Sequence, residues 1–226
     1  MNIHRGLAGL SLSALAIAVP GWAQQLPQAQ SFDVLASVLD TGQREISPKK
    51  AVASSTDEAR RFRDKVIAGW WEHLQASSSA KPGEFCAAMF LRAKPEPRSG
   101  GEMLFKDGMA ITLFGPGGDY RGALLGFSPL SKDHAFPKAQ SGQKLLLTLR
   151  QGHDAPVTLN AVYLSVGVAA HPLIAFAVPN IEALMSGMED DLAFELQHQG
   201  KSIADIRWHS GFRAREALKQ CLAKKG

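Results

Sequence analysis

Apolar and polar residues change period twice along this chain. From Ser55 to Gln75, in "STDEARRFRDKVIAGWWEHLQ", Ala59, Phe62, Val66, Trp70 and Leu74 recur at helical spacing, and charges fill the opposite face. Ser55 followed by Glu58 has the form of a capping box. The pattern predicts a helix over 55–75, although "KVIAGWWEHL" could instead begin a strand. "ASSSAKPG" then breaks it. Beyond Gly83 the apolar runs become short. "EFCAAMFLRA", "GEMLFKDG", "MAITLFG", "YRGALLGFS", "QKLLLTLRQ", "VTLNAVYLSVG" and "LIAFAVP" are separated by Gly, Pro, Asp, Asn or Ser. Alternation within several of them predicts strands, and their regular spacing predicts a β-sandwich or open barrel. Asp107-Gly108 and "FGPGGDYRG" carry turn chemistry.

After "FAVP" the period changes again. "NIEALMSGM" predicts a two-turn helix capped by Asn180 and weakened at Gly187. "DLAFELQHQGKSIADIRWH" predicts a hairpin turning at Gln199-Gly200. The closing segment 210–223 predicts a helix with the stripe Ala214, Ala217, Leu218 and Cys221. The expected fold is therefore α+β: mainly antiparallel β, with an N-terminal and a C-terminal helix packed on it. The expected domain is 55–226, with its β-rich core over 83–209.

The N-terminus changes the picture most. "MNIHRG" is a short basic segment, and "LAGLSLSALAIAV" is an uncharged apolar run of thirteen residues. "PGWAQQ" supplies a break, with small residues Gly21 and Ala23 at the positions a signal peptidase reads. Residues 1–23 are expected to be a signal peptide, since a spanning helix needs roughly 20 apolar residues. Residues 24–54 read as a flexible leader, although Phe32, Leu35, Ala36 and Leu39 in "SFDVLASVLDTG" could share one face of a short helix. What remains is roughly one domain in length. The expected location is periplasmic or secreted.

Charge and cysteine count narrow the function classes. Lys and Arg number 25 against 21 Asp and Glu, and the basic residues are scattered, so no nucleic-acid footprint is present. The two cysteines, Cys86 and Cys221, both follow the export segment. An oxidising compartment favours one intramolecular bridge between them; two buried thiols or a redox pair are the rivals.

Catalytic and metal motifs are sparse. "QHQGKS" lacks the glycine a phosphate loop needs, because position 195 is Glu. "GFSPL" fails as a nucleophile elbow at Leu130. Asp133-His134 and His153-Asp154 are acid–histidine pairs that could serve proton transfer, but turn chemistry already accounts for them. His198 and His209 flank the expected hairpin and could approach across it. "EDD" at 189–191 reads as a solvated acidic turn without calcium-loop spacing. No cofactor or metal is expected. The candidate binding residues are Trp70, Trp71 and Phe136, large aromatic groups of the kind that anchor partners.

The order of elements, together with Cys86 in "GEFCAA" and the terminal "SGFRAREALKQC", resembles a broad class of small periplasmic β-sandwich proteins of Gram-negative bacteria. That class includes the invasion-associated locus B family. The resemblance covers Gly83 to Leu222. It implies a non-enzymatic envelope protein with a disulfide bridge, whose partner would be another envelope protein or a cell-wall component. The rival expectation is a divergent periplasmic hydrolase that uses loop Asp and His residues.

Overall fold

Backbone groups buried with a large apolar core must be paired, and here a single antiparallel sheet pairs them. The structure is a computed structural model that describes residues 32–46, 56–97, 103–115, 122–131 and 134–224. Two helices come first, α1 (Asp33–Ile46) and α2 (Asp57–Ala68). Seven strands follow: β1 (Trp70–Gln75), β2 (Cys86–Pro97), β3 (Met103–Gly115), β4 (Ala123–Pro129), β5 (Lys144–Gln151), β6 (Val157–Val166) and β7 (His171–Val178). A short helix α3 (Ile181–Ser186), the hairpin β8 (Leu192–His198) and β9 (Lys201–Trp208), and helix α4 (Gly211–Leu222) complete the order. The nine strands run β1-β2-β3-β4-β7-β6-β5-β8-β9, and the sheet curls into a half-barrel. Of the two expected β architectures, this is the open barrel.

The sheet is buried on both faces at its centre. Cys86 to Leu91 of β2 are six consecutive buried residues. Cys86, Ala88 and Phe90 join an inner core with Phe127, Phe194 and Trp208, while Ala87, Met89 and Leu91 join an outer core. A strand covered on both sides reads as a continuous apolar run, which is why β2 lacks alternation.

The outer cover is α1, and here the expected leader is corrected. Leu35, Leu39 and Ile46 are buried in the outer core, and the Phe32 ring lies 4.9 Å from that of Phe114. Gly42 sits so near Leu91 and Leu130 that a Cβ there would stand 3.1 Å and 3.2 Å from their side chains. Residues 33–46 are thus an integral helix. The rest of the segment read as leader, and the export segment, lie outside the described residues.

The expected helix 55–75 is also corrected. Its cap is Thr56, whose Oγ1 accepts from the Ala59 N–H at 3.1 Å, and it ends at Ala68. Gly69 takes φ +88°, and a Cβ on it would lie 2.3 Å from the Phe90 ring. That conformation favours glycine and stops the helix. Trp70–Gln75 then pairs with Leu91–Cys86 as an edge strand. Helical spacing in the sequence continued through this stop because an alternating strand also places Trp70 and Leu74 on one face.

A third correction concerns Asp107-Gly108. It is a bulge inside one long strand β3, since Arg92 pairs with Met109 while Lys94 pairs with Lys106. Asp107 adopts φ +50°, and the Gly108 carbonyl accepts from the Leu130 N–H at 2.7 Å. Residues 116–121 of the "FGPGGDYRG" turn lie outside the described residues. The Gln199-Gly200 turn is as expected, with φ +51° and +75° joining β8 to β9. Asn180 caps α3 by accepting from Ala183 N–H at 2.6 Å.

Cys86 and Cys221 form a disulfide, with their Cα atoms 6.0 Å apart. It ties α4 to the start of β2. Gly83, at φ +84°, lies close against the Lys224 carbonyl beside this junction. The other end of α4 is held by the acidic triplet. Asp190 Oδ1 accepts from Phe212 N–H at 3.3 Å, its carbonyl accepts from Gly211 N–H at 2.9 Å, and Asp191 pairs with Arg207. Within "EDD", Asp190 therefore caps the terminal helix, with negative charge at a helix N-terminus where the backbone N–H groups welcome it, while Asp191 fixes β9.

Candidate functional site

A half-barrel has two free edges, and in this fold side chains bring β9 back against the β1–β2 end. Trp71 Nε1 donates to the His209 carbonyl at 2.6 Å, and His209 Nε2 donates to the Gly69 carbonyl at 3.2 Å. Arg92 Nη1 donates to the Arg207 carbonyl at 3.2 Å, and Lys94 pairs with Asp205 at 3.2 Å. A cavity of about 240 Å³ lies in this seam, between Arg92–Pro95 and Asp205–Arg207. Of its charged groups, Lys94 and Asp205 pair with each other, Arg92 donates to the Ile67 and Arg207 carbonyls, and Arg207 pairs with Asp191 outside the cavity.

Trp70 and Trp71 are adjacent on a strand, so they point to opposite faces. Trp71 enters the inner core, 5.2 Å from the Phe90 ring and 5.4 Å from that of Trp208. Trp70 packs against the outer core with Lys65 Nζ 4.6 Å over its ring, and its Nε1 donates to Glu72 at 2.8 Å. Trp71 seals the seam. Trp70 lines a shallow groove of about 230 Å³ with Thr41, Lys65 and Glu72.

Phe136 stands elsewhere. It lines a cleft of about 260 Å³ at the rim of the half-barrel, where the end of β4, the segment 134–138, Tyr163 of β6 and His171–Pro172 of β7 meet. Phe136, Pro129, Pro137 and Pro172 give apolar walls. Ser131, His134, Lys138, Tyr163, His171 and Gln43 bring polar groups to the same space. Gln43 Nε2 donates to the Pro129 carbonyl at 3.3 Å, which fixes α1 to this rim. Tyr163 is only 8 % exposed, and its hydroxyl makes no hydrogen bond among the described residues. Burial pushes its phenol pKa up, so the group stays a neutral donor well past neutrality. The Ser131 hydroxyl likewise has no internal partner among the described residues. Apolar walls with a few convergent polar groups are what a ligand site requires.

Of the described histidines, His134 and His171 share the Phe136 cleft and the others lie outside it. His134 Nε2 donates to the Ile203 carbonyl at 2.6 Å, on the β9 strand, and Nδ1 faces Asp107 at 3.9 Å. With Nε2–H donated to main chain, the ring's basic lone pair lies on Nδ1, which is buried away from solvent and makes no hydrogen bond among the described residues. Asp133 lies outside the described residues. His153 sits in the exposed turn between β5 and β6, and His209 sits in the seam. His198 pairs with Lys201 beside the hairpin turn, whereas His209 follows the Leu192–Trp208 pair at the open end, so the two do not meet across it.

No family model, curated protein or solved structure matches the chain. Sequence reasoning reached Phe136 but missed Tyr163, His171 and Ser131. Each is hidden within an apolar strand or strand end, where a polar residue reads as ordinary alternation.

Proposed function

We propose that this chain is an exported, non-catalytic binding protein of the cell envelope, and that it holds a protein or other envelope component at the Phe136 cleft. The observation that carries the reading is a rim cleft with aromatic and proline walls and two hydroxyls, of Tyr163 and Ser131, left without partners among the described residues. Neither hydroxyl is among the sealed, unpartnered polar atoms of the core, so both meet solvent and are free to bond an external partner at the cleft. Support for an oxidising compartment comes from the Cys86–Cys221 pairing, and support for export comes from the pattern of residues 1–23. The resemblance of Gly83–Leu222 to periplasmic β-sandwich proteins points the same way. The burial of His134 Nδ1, the nitrogen left basic when Nε2 donates to the Ile203 carbonyl, argues against the hydrolase alternative.

The test is affinity capture from envelope extract with the mature protein and with Phe136→Ala. The reading expects a species retained by the wild type and lost from the variant while the variant stays folded by circular dichroism. Equal retention by both would remove the cleft from the account. A hydrolytic activity abolished by a loop histidine substitution would remove the non-catalytic reading.

A further inference from the structure

We propose that the exposed first half of β6 takes an extended, uncharged segment of a partner protein as an added strand, paired with the backbone of Thr158 and Asn160. This is a second site, independent of the Phe136 cleft. The strands β5 to β8 and their connections all lie within the unbroken described stretch 134–224. The sheet divides inside that stretch. β7 follows β4 as far as Val178 against Ala123, but it pairs with β6 only where Val162 to Val166 face Ala175 to His171. β6 follows β5 further, back to Val157 against Leu149. Residues 157–161 therefore have a neighbouring strand on one side only among the described residues. Residues 157–160 are exposed, whichever face of the sheet their side chains take. The open backbone groups are those of Thr158 and Asn160. Tyr163 N–H donates to the Gln143 carbonyl at 2.8 Å, and its carbonyl accepts from Gly142 N–H at 2.7 Å, both on the β5 side. Backbone polar groups alternate sides along a strand, so the odd-numbered residues of β6 serve β5 and the even-numbered ones face away from it.

Side chains at this edge set the chemistry of the segment. Val157 and Leu159 share the inner face with their partners Leu149 and Leu147. Those partners are buried, whereas Leu159 is 40 % and Val157 52 % exposed, so the apolar face stops at the open edge. A segment with apolar residues at alternate positions continues that face, and hydroxyl residues between them meet Thr158 and Asn160. Other open edges of the sheet are guarded in the usual ways. β9 carries Lys201, Asp205 and Arg207, and its Ile203 carbonyl is taken by His134. The part of β2 beyond β1 carries Lys94, Pro95 and Pro97. β6 has neither a charge nor a proline from Val157 to Val166. Size decides the occupant. The exposed edge of 157–160 spans about 14 Å at roughly 3.4 Å per residue. A stable interface between folded copies takes roughly 20–30 residues a side, so an extended segment fits where a second copy of this chain does not. Leu146 pairs with Asn160, so the added strand stands about 10 Å from it, two strand spacings away and out of contact.

The experiment uses hydrogen exchange and amide shifts of the ¹⁵N-labelled, disulfide-intact mature protein. In the free protein the Thr158 and Asn160 amides should exchange faster than those of Leu159 and Ala161, which donate to β5. The probe is N-acetyl-Lys-Val-Thr-Val-Thr-Val-Lys amide, whose end lysines keep it soluble, against the same peptide N-methylated at both threonines. The first peptide should shift residues 157–161 and protect Thr158 and Asn160. N-methylation removes the two donors that face β6 and should weaken binding about tenfold or more. Thr158→Pro should do the same, and it keeps the strand because its ring replaces an N–H that β5 does not use. Val157→Lys puts a charge on the edge at a half-exposed position and should weaken binding about tenfold as well. Phe136→Ala should leave this binding unchanged, so failure here and failure of the cleft reading are separate results. Slow exchange at Thr158 and Asn160 in the free monomer would overturn the inference, because the chain would already fill its own edge. Protection that grows with protein concentration would overturn it in favour of a second copy. Equal binding of the two peptides, or no shift at millimolar peptide, would overturn it outright.

Discussion

Removing the disulfide by Cys86→Ala with Cys221→Ala should lower stability by about 3–5 kcal/mol. The bond closes a loop across a sequence separation of 135, nearly the whole sheet. In the chain-entropy account a loop of this length confines the unfolded chain by about 5 kcal/mol. The loss is a large share of the 5–15 kcal/mol typical of a domain. Alanine is the right replacement because Cys86 is fully buried, and a serine hydroxyl there would add an unpaired polar group. The helix should stay docked in the folded variant, since Ala214 and Leu218 remain in the inner core and Asp190 still caps its start. Urea unfolding of the oxidised wild type and the double variant is the assay. With a slope of about 2 kcal/mol per molar, the midpoint should fall by about 2 M. Reduced wild type should coincide with the variant. An unchanged midpoint, or two free thiols in the denatured, unreduced wild type, would refute the reasoning.

Leu39→Ala should cost about 2–5 kcal/mol, because Leu39 is 0 % exposed beneath α1 and its loss leaves a cavity against the outer sheet face. A change near zero in a urea melt would return residues 33–46 to the status of a leader. Asp33 accepts from Ser78 N–H at 2.9 Å and from the Ser78 hydroxyl, which holds its carboxyl below the usual value of 3.8. A carboxyl depressed by folding stabilises above its unfolded pKa, and the contribution is lost as pH falls through the folded one. The stability difference between wild type and Asp33→Asn should therefore be full at neutral pH and vanish in strong acid; a difference that persists there would show that the anchor is not the carboxylate.

The sequence exposed the sheet well because strand alternation and turn residues are local properties. Segments such as Leu192–His198 and Lys201–Trp208 show their faces residue by residue, and Gln199-Gly200 marks where they reverse. The stop at Gly69 was less legible. What forbids a longer helix is the Phe90 ring pressed against that glycine, a contact across the sheet that no local pattern carries. The helix α1 was visible as a face of Phe32, Leu35, Ala36 and Leu39, but nothing in its own residues said that the sheet had an outer face left to cover. The bulge at Asp107-Gly108 uses the same residues as a hairpin turn, and only the register with β2 separates the two. The disulfide followed from compartment chemistry. The cleft was half legible: Phe136 stood out as a loop aromatic, whereas Tyr163, Ser131 and His171 became site residues only when β4, β6 and β7 brought their ends together.

The central claim is that a partner sits at the Phe136 cleft, and site-specific photocrosslinking in the living envelope tests it most directly. A benzophenone side chain at position 138, on the cleft rim, is compared with one at position 146, where Leu146 is 62 % exposed on the outer face of β5. The account predicts a discrete adduct from position 138, lost on adding Tyr163→Phe with Phe136→Ala, and none from position 146. No adduct from position 138, or the same adduct from both positions, would contradict it.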